Sequence, residues 1–311
     1  MISRRFFATL AVAGSAFLAV GPVAALAADA VTITHDQGTT EVPAAPKRVV
    51  VFDMPVLDTL NVLEVAVSGV PGGVKPEHLE HYNADAYAKV GTLFEPDYEA
   101  VNALAPDLII VGGRSAPKYK DLSRIAPTID LSISPESFLD DALGNARTLG
   151  RIFGKEEAVE QRITALTDSM AALRATAAEA GKGMLILTTG GRMSAFGPGS
   201  RFGLLHDGFG VKPANPNLDI GLHGQAISFE FILETNPDWL FVLDRDAAIG
   251  REGQPARQFL DNEIVRQTSA WRKGQVVYLN GGNWYLSGGG LGALQAEVDA
   301  VQAALSAKQG S

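Results

Sequence analysis

The chain has 311 residues, 46% of them hydrophobic, enough for two ordinary globular domains with real cores. Against 26 basic residues stand 35 acidic ones, a net charge of −9 that disfavours nucleic acid and anionic lipid as partners. There is no cysteine, which excludes a disulfide framework, a thiolate metal site, a thiol nucleophile and a lipid-modified cysteine.

Residues 1–27 read as a secretory leader. Arg4-Arg5 precede the apolar run from Phe6 to Val20, and Ala25-Leu26-Ala27 forms an A-x-A cleavage site. The run is too short for a membrane span. "SRRFF" also fits a twin-arginine signal, so both the general secretory and the twin-arginine routes are open. Loss of Arg4 and Arg5 takes the mature net charge to −11. The expected product is a soluble, monomeric protein of the periplasm.

After the leader, "VTITHDQGTTEVP" alternates apolar and polar residues around Gln37-Gly38 and predicts a small hairpin. "RVVVFD", residues 48–53, is a continuous apolar run of the kind found in buried parallel strands, and similar runs recur at 108–111, 184–187, 239–243 and 276–279. Segments with helical period separate them, which predicts an α/β architecture.

The longest helical pattern, from Lys155 to about Ala178, places Val159, Ile163, Leu166, Met170 and Leu173 on one stripe, with no glycine or proline to interrupt it. It divides the chain into an N-terminal lobe, 28–154, and a C-terminal lobe, 181–311, with residues 155–180 as a rigid connection. The two parts share one pattern. "EAVNALAPDLIIVGGR", Glu99 to Arg114, and "EFILETNPDWLFVLDR", Glu230 to Arg245, each open with a glutamate, carry Pro-Asp seven residues on, run through a strand and close on arginine. Turn chemistry at a helix-to-strand junction would explain one such unit. The match at both charged ends favours two lobes of like topology. Ligands gather at the carboxyl ends of α/β strands, so Arg114 and Arg245 can face one cleft, with Glu99 and Glu230 at the opposite end on outer surfaces.

Gly288-Gly289-Gly290-Leu291-Gly292-Ala293 fits the G-x-G-x-x-A spacing of a dinucleotide loop. That fold needs a second strand with an acidic residue about twenty positions on, and only 18 residues follow Ala293, in one helical pattern. The plain reading is a loop leading into the last helix. Hydrolase chemistry has no support either: Ser287 is followed by three glycines rather than sitting in G-x-S-x-G, and none of the five histidines lies in H-E-x-x-H. His78 and His81 are three apart, but such surface pairs are more often solvated than metal-bound. His35 and His206 read as structural. His223 lies in the glycine-flanked loop "LDIGLHGQAIS" just ahead of the second repeat.

Taken in order, "PKRVVVFD", "PDLIIVGGR", the long helix, "SRFGLLHD", "GLHGQAISFEFILETNPDWLFVLDR", "WRKGQVVYLN" and "NWYLSGGG" resemble the periplasmic binding proteins of ABC importers for iron-siderophores. The likeness is greatest to those that capture ferric catecholate and related siderophores, tetradentate ones included. It implies two Rossmann-like α/β lobes joined by one long backbone helix, with the ligand in the interlobe cleft and no catalysis. It implies three cleft arginines, Arg114, Arg201 and Arg245, and contact of His223 and Tyr285 with iron. It also implies docking of Glu99 and Glu230 onto an inner-membrane ABC permease. The ligand would be an Fe(III)-siderophore, with no prosthetic group.

Elementary chemistry agrees. Ferric iron prefers oxygen donors and accepts imidazole, and a four-donor siderophore leaves two of six positions for Tyr285 and His223. A bound cation makes a tyrosine, ordinarily near pKa 10, accessible as phenolate at neutral pH. Guanidinium forks suit the anionic oxygens of catecholate complexes. The alternatives are the same fold holding haem, cobalamin or a hexadentate siderophore without protein–iron bonds, and, more distantly, an exported hydrolase.

Overall fold

The computed structural model describes residues 30–309. The expected leader, with Arg4-Arg5, lies outside the described residues. Among those described, no helix is long and apolar enough to cross a membrane.

The hairpin forms from β1 (Ala30–His35) and β2 (Gly38–Pro43), paired antiparallel. Its turn is Asp36-Gln37, and Gly38, at φ +132°, opens the second strand instead of sitting in the turn. The next five strands are β3 (Val49–Val51), β4 (Gly69–Val70), β5 (Ala88–Lys89), β6 (Leu108–Val111) and β7 (Thr128–Asp130). They make an all-parallel sheet in the order β5-β4-β3-β6-β7. The hairpin covers the β7 edge: Thr40 Oγ1 donates to Thr128 C=O, and Gln37 Nε2 donates to Asp130. An edge so covered is shielded from pairing with another chain.

Among the helices of this half, α1 (Met54–Val62) follows β3, and α2 (Tyr98–Ala103) precedes β6. The half ends in α3 (Phe138–Phe153), which Gly154 stops in the left-handed region at φ +62°. Next comes α4 (Glu156–Ala180), the unbroken helix expected from the stripe, with Val159, Ile163, Leu166, Met170, Leu173 and Ala177 all buried. Each buried aliphatic side chain of this size contributes about 2 kcal/mol.

The second half is built on β8 (Lys182–Thr189), β9 (Arg192–Phe196), β10 (Lys212–Pro213), β11 (Gln225–Ile227), β12 (Trp239–Asp244) and β13 (Val276–Tyr278), in the order β11-β9-β8-β12-β13, with β10 also on β8. Here the sheet departs from the expected run of parallel strands. Gly190 and Gly191, both at positive φ, turn the chain back so that β9 pairs antiparallel with β8. The half also contains α5 (Phe229–Thr235), ahead of β12, and ends in α6 (Leu291–Gln309), which packs on α4 and α1.

The repeated Pro-Asp pattern has the same physical role in both halves. The residue before each proline, Ala105 or Asn236, takes a left-handed φ of about +45° and ends its helix. The aspartate then ties down the neighbouring strand. Lys47 N–H and Arg48 N–H donate to Asp107 at 3.0 and 2.9 Å, and Lys182 N–H donates to Asp238 at 3.0 Å. Each opening glutamate sits in the first turn of a capped helix: Asp97 accepts from Ala100 N–H, and Ser228 accepts from Phe231 N–H.

The glycine-rich turn before α6 also finds its purpose. Its backbone N–H groups meet a carboxylate belonging to the first half, not a phosphate. Gly292 N–H and Ala293 N–H donate to Asp58 Oδ2 at 2.7 and 3.2 Å, and Leu291 N–H donates to Thr59 Oγ1 at 3.1 Å. Asp58 is fully buried, and His78 Nε2 lies 2.5 Å from its other oxygen. A Cβ at Gly290 would fall inside this carboxylate, and one at Gly292 would stand 2.9 Å from it, so close approach requires glycine at both positions. An anion at the helix N-terminus thus joins the two halves from within the chain.

Candidate functional site

The carboxyl ends of the central strands deliver the arginines. After β6, Gly112 runs so close to Asp53 that a Cβ would lie 2.8 Å from Oδ2, and Gly113 turns at φ +43° to release Arg114. After β12, Asp244 accepts from Ala247 N–H and Ala256 N–H and fixes the turn that begins with Arg245. Arg201 comes from the loop following Gly199, whose φ is +70°. Tyr285 sits in a single π-helical turn, Gly282–Leu286, a local widening often found at functional sites.

These residues converge. The guanidinium carbons of Arg114, Arg201 and Arg245 lie 5.4, 4.5 and 5.5 Å from the centroid of the Tyr285 ring. Arg245 Nε donates to Tyr285 Oη at 2.8 Å, and Arg114, from the first half of the chain, donates to the Tyr285 carbonyl at 3.0 Å. Burial pushes the Tyr285 hydroxyl up, but the Arg245 hydrogen bond and the charges of Arg201 and Arg245 outweigh it and leave the phenol below its ordinary value. Burial, then the charge of Arg114, lowers the Arg201 guanidinium. Three cations around one phenol in a partly desolvated space favour an anion.

Arg114, Arg201, His223 and Tyr285 line one cavity of about 430 Å³, a size that suits a small organic ligand. Arg245 does not form the wall; it stands against Tyr285 and reaches the site through that hydroxyl. His223 is on an exposed turn closed by Gly224 N–H donating to Gly221 C=O, with the exposed side chain of Leu222 beside it at the cavity. Much of the remaining lining is apolar, including Ile133, Phe138, Phe202 and Trp284. Among the described residues, no three His, Asp or Glu side chains gather in a metal-binding group. A metal here would need most of its donors from a ligand.

The strand and repeat order, the arginines at the cavity and the long helix α4 all point one way, and residues 49–281 match the family model for periplasmic binding proteins. The chain belongs to the periplasmic binding protein family. It is 43% identical over 277 residues to the petrobactin-binding protein of Bacillus subtilis, covering 88% of this chain and 87% of that one. It is 34% identical over 281 residues to the ferric-anguibactin-binding protein of Vibrio anguillarum, covering 87% and 86%. Among solved structures, the Bacillus subtilis petrobactin-binding protein superimposes with a TM-score of 0.86 at 41% identity, over 89% of this chain and 99% of that one. The periplasmic catecholate-siderophore-binding protein of Vibrio cholerae gives 0.83 at 33%, over 88% and 100%. The α/β, two-lobed architecture expected from the sequence is therefore that of the family.

In this periplasmic binding protein Glu99 and Glu230 stand apart from the cavity. Both are exposed, in the first turns of α2 and α5, at the ends of their units opposite the arginines. The other histidines are held locally: His35 Nε2 lies 2.9 Å from Thr40 Oγ1, buried His206 has Nδ1 2.7 Å from the Val211 carbonyl, and the His81 ring packs at a tilt against Tyr82. Two cavity residues escaped the sequence analysis, Asp53 and Glu297. Asp53 ends the "RVVVFD" run and caps α1 by accepting from Val56 N–H, so the strand-end rule could have found it. Burial pushes its carboxyl up to about 6, against the Val56 hydrogen bond and the Arg114 charge. Glu297 lies midway along α6, where no local signal marks it.

Proposed function

We propose that this protein captures a ferric siderophore of the catecholate class, possessing four iron donors, and delivers it to an inner-membrane ABC permease. The observation that carries the reading is the triangle of Arg114, Arg201 and Arg245 around Tyr285, which lines a largely apolar cavity. Guanidiniums meet the negative oxygens of the chelate, and the apolar wall meets its aromatic rings. A tyrosine already below its ordinary pKa gives up its proton to iron readily, and His223, on the same cavity, supplies the sixth donor. Relatives that bind petrobactin, anguibactin and catecholate siderophores support the ligand class.

Trp284 lines the cavity, so a coloured ferric catecholate bound there quenches its fluorescence. Titrating the mature chain with ferric tetradentate catecholate, ferric hexadentate catecholate, haem and cobalamin should give saturable quenching and the tightest binding with the first. Tighter binding of haem or cobalamin would refute the reading.

Glu99 and Glu230, exposed at corresponding places on the two halves, are the docking points for the permease. Glu99→Lys with Glu230→Lys should abolish uptake of the ferric siderophore by cells while the purified variant binds it with unchanged affinity. Lost binding in that variant would place these residues in the wrong role. The leader over residues 1–27 accounts for passage to the periplasm, where a monomer would meet its ligand.

A further inference from the structure

Glu297 is unlike every other group in the cleft. It is 2% exposed and lines the cavity, yet its Oε1 has no hydrogen-bond partner among the described residues. It neither caps a helix nor joins an ion pair there. Its helical neighbours Leu294, Val298 and Val301 are all buried apolar residues, so the position lies in a packed face where a methionine would fit without a polar atom to satisfy. A buried polar atom without a partner costs about 1–3 kcal/mol, and at the wall of a cavity a bound ligand can supply the partner.

We propose that Glu297 is a second recognition point of the cleft, whose carboxyl pairs with an amide in the backbone of the bound siderophore. The inference rests on the ferric siderophore reading above. Burial, reinforced by the nearby charge of Asp58, raises the Glu297 carboxyl well above its ordinary value, which favours the protonated form. A protonated carboxyl offers an O–H donor, which the C=O of an amide accepts. Ile133, Phe138 and Trp284 on the same cavity make its surroundings apolar, where such a hydrogen bond counts most. The cleft would then read a ligand twice: the arginines and Tyr285 take the charged chelate, and Glu297 takes the neutral linker.

Two probes separate the readings. One is the ferric complex of a bis(dihydroxybenzoyl) diamine, whose rings are joined through amides; the other is the ferric complex of free catechol, which has none. With the full mature chain, Glu297→Met should weaken the amide-linked probe about tenfold and leave the catechol probe unchanged. Glu297→Gln, which keeps a donor and an acceptor, should bind both within about threefold of the wild type. The melting temperature of Glu297→Met should equal or exceed that of the wild type, because an unpaired buried carboxyl has been removed. Equal loss for both probes, or a lower melting temperature with it, would make Glu297 a structural residue and overturn the proposal. No loss for either would overturn it as well. If the wild type binds neither probe, the siderophore reading itself fails, an outcome distinct from failure at Glu297 alone.

Discussion

Asp58→Ala destabilises the protein by about 3 kcal/mol, seen as a lower midpoint of denaturant unfolding with little change in slope. The cost has several parts. Gly292 N–H and Ala293 N–H lose their acceptor at the start of α6, and the hydrogen bond of Ala293 is a buried one. His78 loses its partner, though its own partial exposure softens that loss. The helix N-terminus loses the anion that offset its dipole. Against a total stability of about 5–15 kcal/mol this is a large fraction. Asp58→Asn, which keeps one acceptor oxygen, should fall between the two. The damage also differs in kind from a core cavity, because α6 bridges the halves by packing on both α4 and α1. Hydrogen exchange in α6 should therefore rise more than in α3, which α6 barely touches. A stability loss below about 1 kcal/mol for Asp58→Ala would mean that the carboxylate does not hold this helix.

The second large effect falls on binding. Tyr285→Phe combined with His223→Ala should weaken ferric tetradentate catecholate by a hundredfold or more, about 3 kcal/mol, and remove the visible band of phenolate-to-iron charge transfer. Two of six iron positions pass from protein donors to water. Tyr285→Phe also takes from Arg245 Nε the hydroxyl that accepts its hydrogen bond. Each single variant should lose part of the affinity, and only Tyr285→Phe should lose the band. Stability should scarcely change, since His223 is exposed and Tyr285 keeps its ring among the arginines. An unchanged band and affinity in the double variant would exclude direct ligation and leave the arginines to hold a ligand whose own donors fill the iron shell.

The two effects divide the molecule along a line that the chain partly displays. The stripe of Val159, Ile163, Leu166, Met170 and Leu173 is local periodicity, and it yields α4 almost to the residue. The paired Glu-to-Arg segments are local as well, since each is one helix, one turn and one strand. Their left-handed residue before proline and their strand-tying aspartate follow from short-range chemistry. Arg114 and Arg245 could be placed because the end of a parallel strand is a position in the sequence as well as in space. The antiparallel return of β9 was also within reach, as two glycines between apolar runs mark a hairpin, but a sequence read for alternating strands and helices passes over it.

What the chain by itself determined is therefore every feature whose cause lies within about sixteen residues: the α/β alternation, the long helix, the two matching units and the glycine turn ahead of α6. The tertiary structure alone decided what those features meet. Asp58 and Gly292 are 234 positions apart, and only folding shows that a carboxylate occupies the turn where the spacing suggests a phosphate. Arg114 and Tyr285 are 171 apart, and the charge that lowers the phenol comes from arginines on separate segments. Glu297 looks in sequence like any solvated helical glutamate. It becomes a cavity residue because α6 lies across α4 and α1, a packing of surfaces that no local pattern encodes.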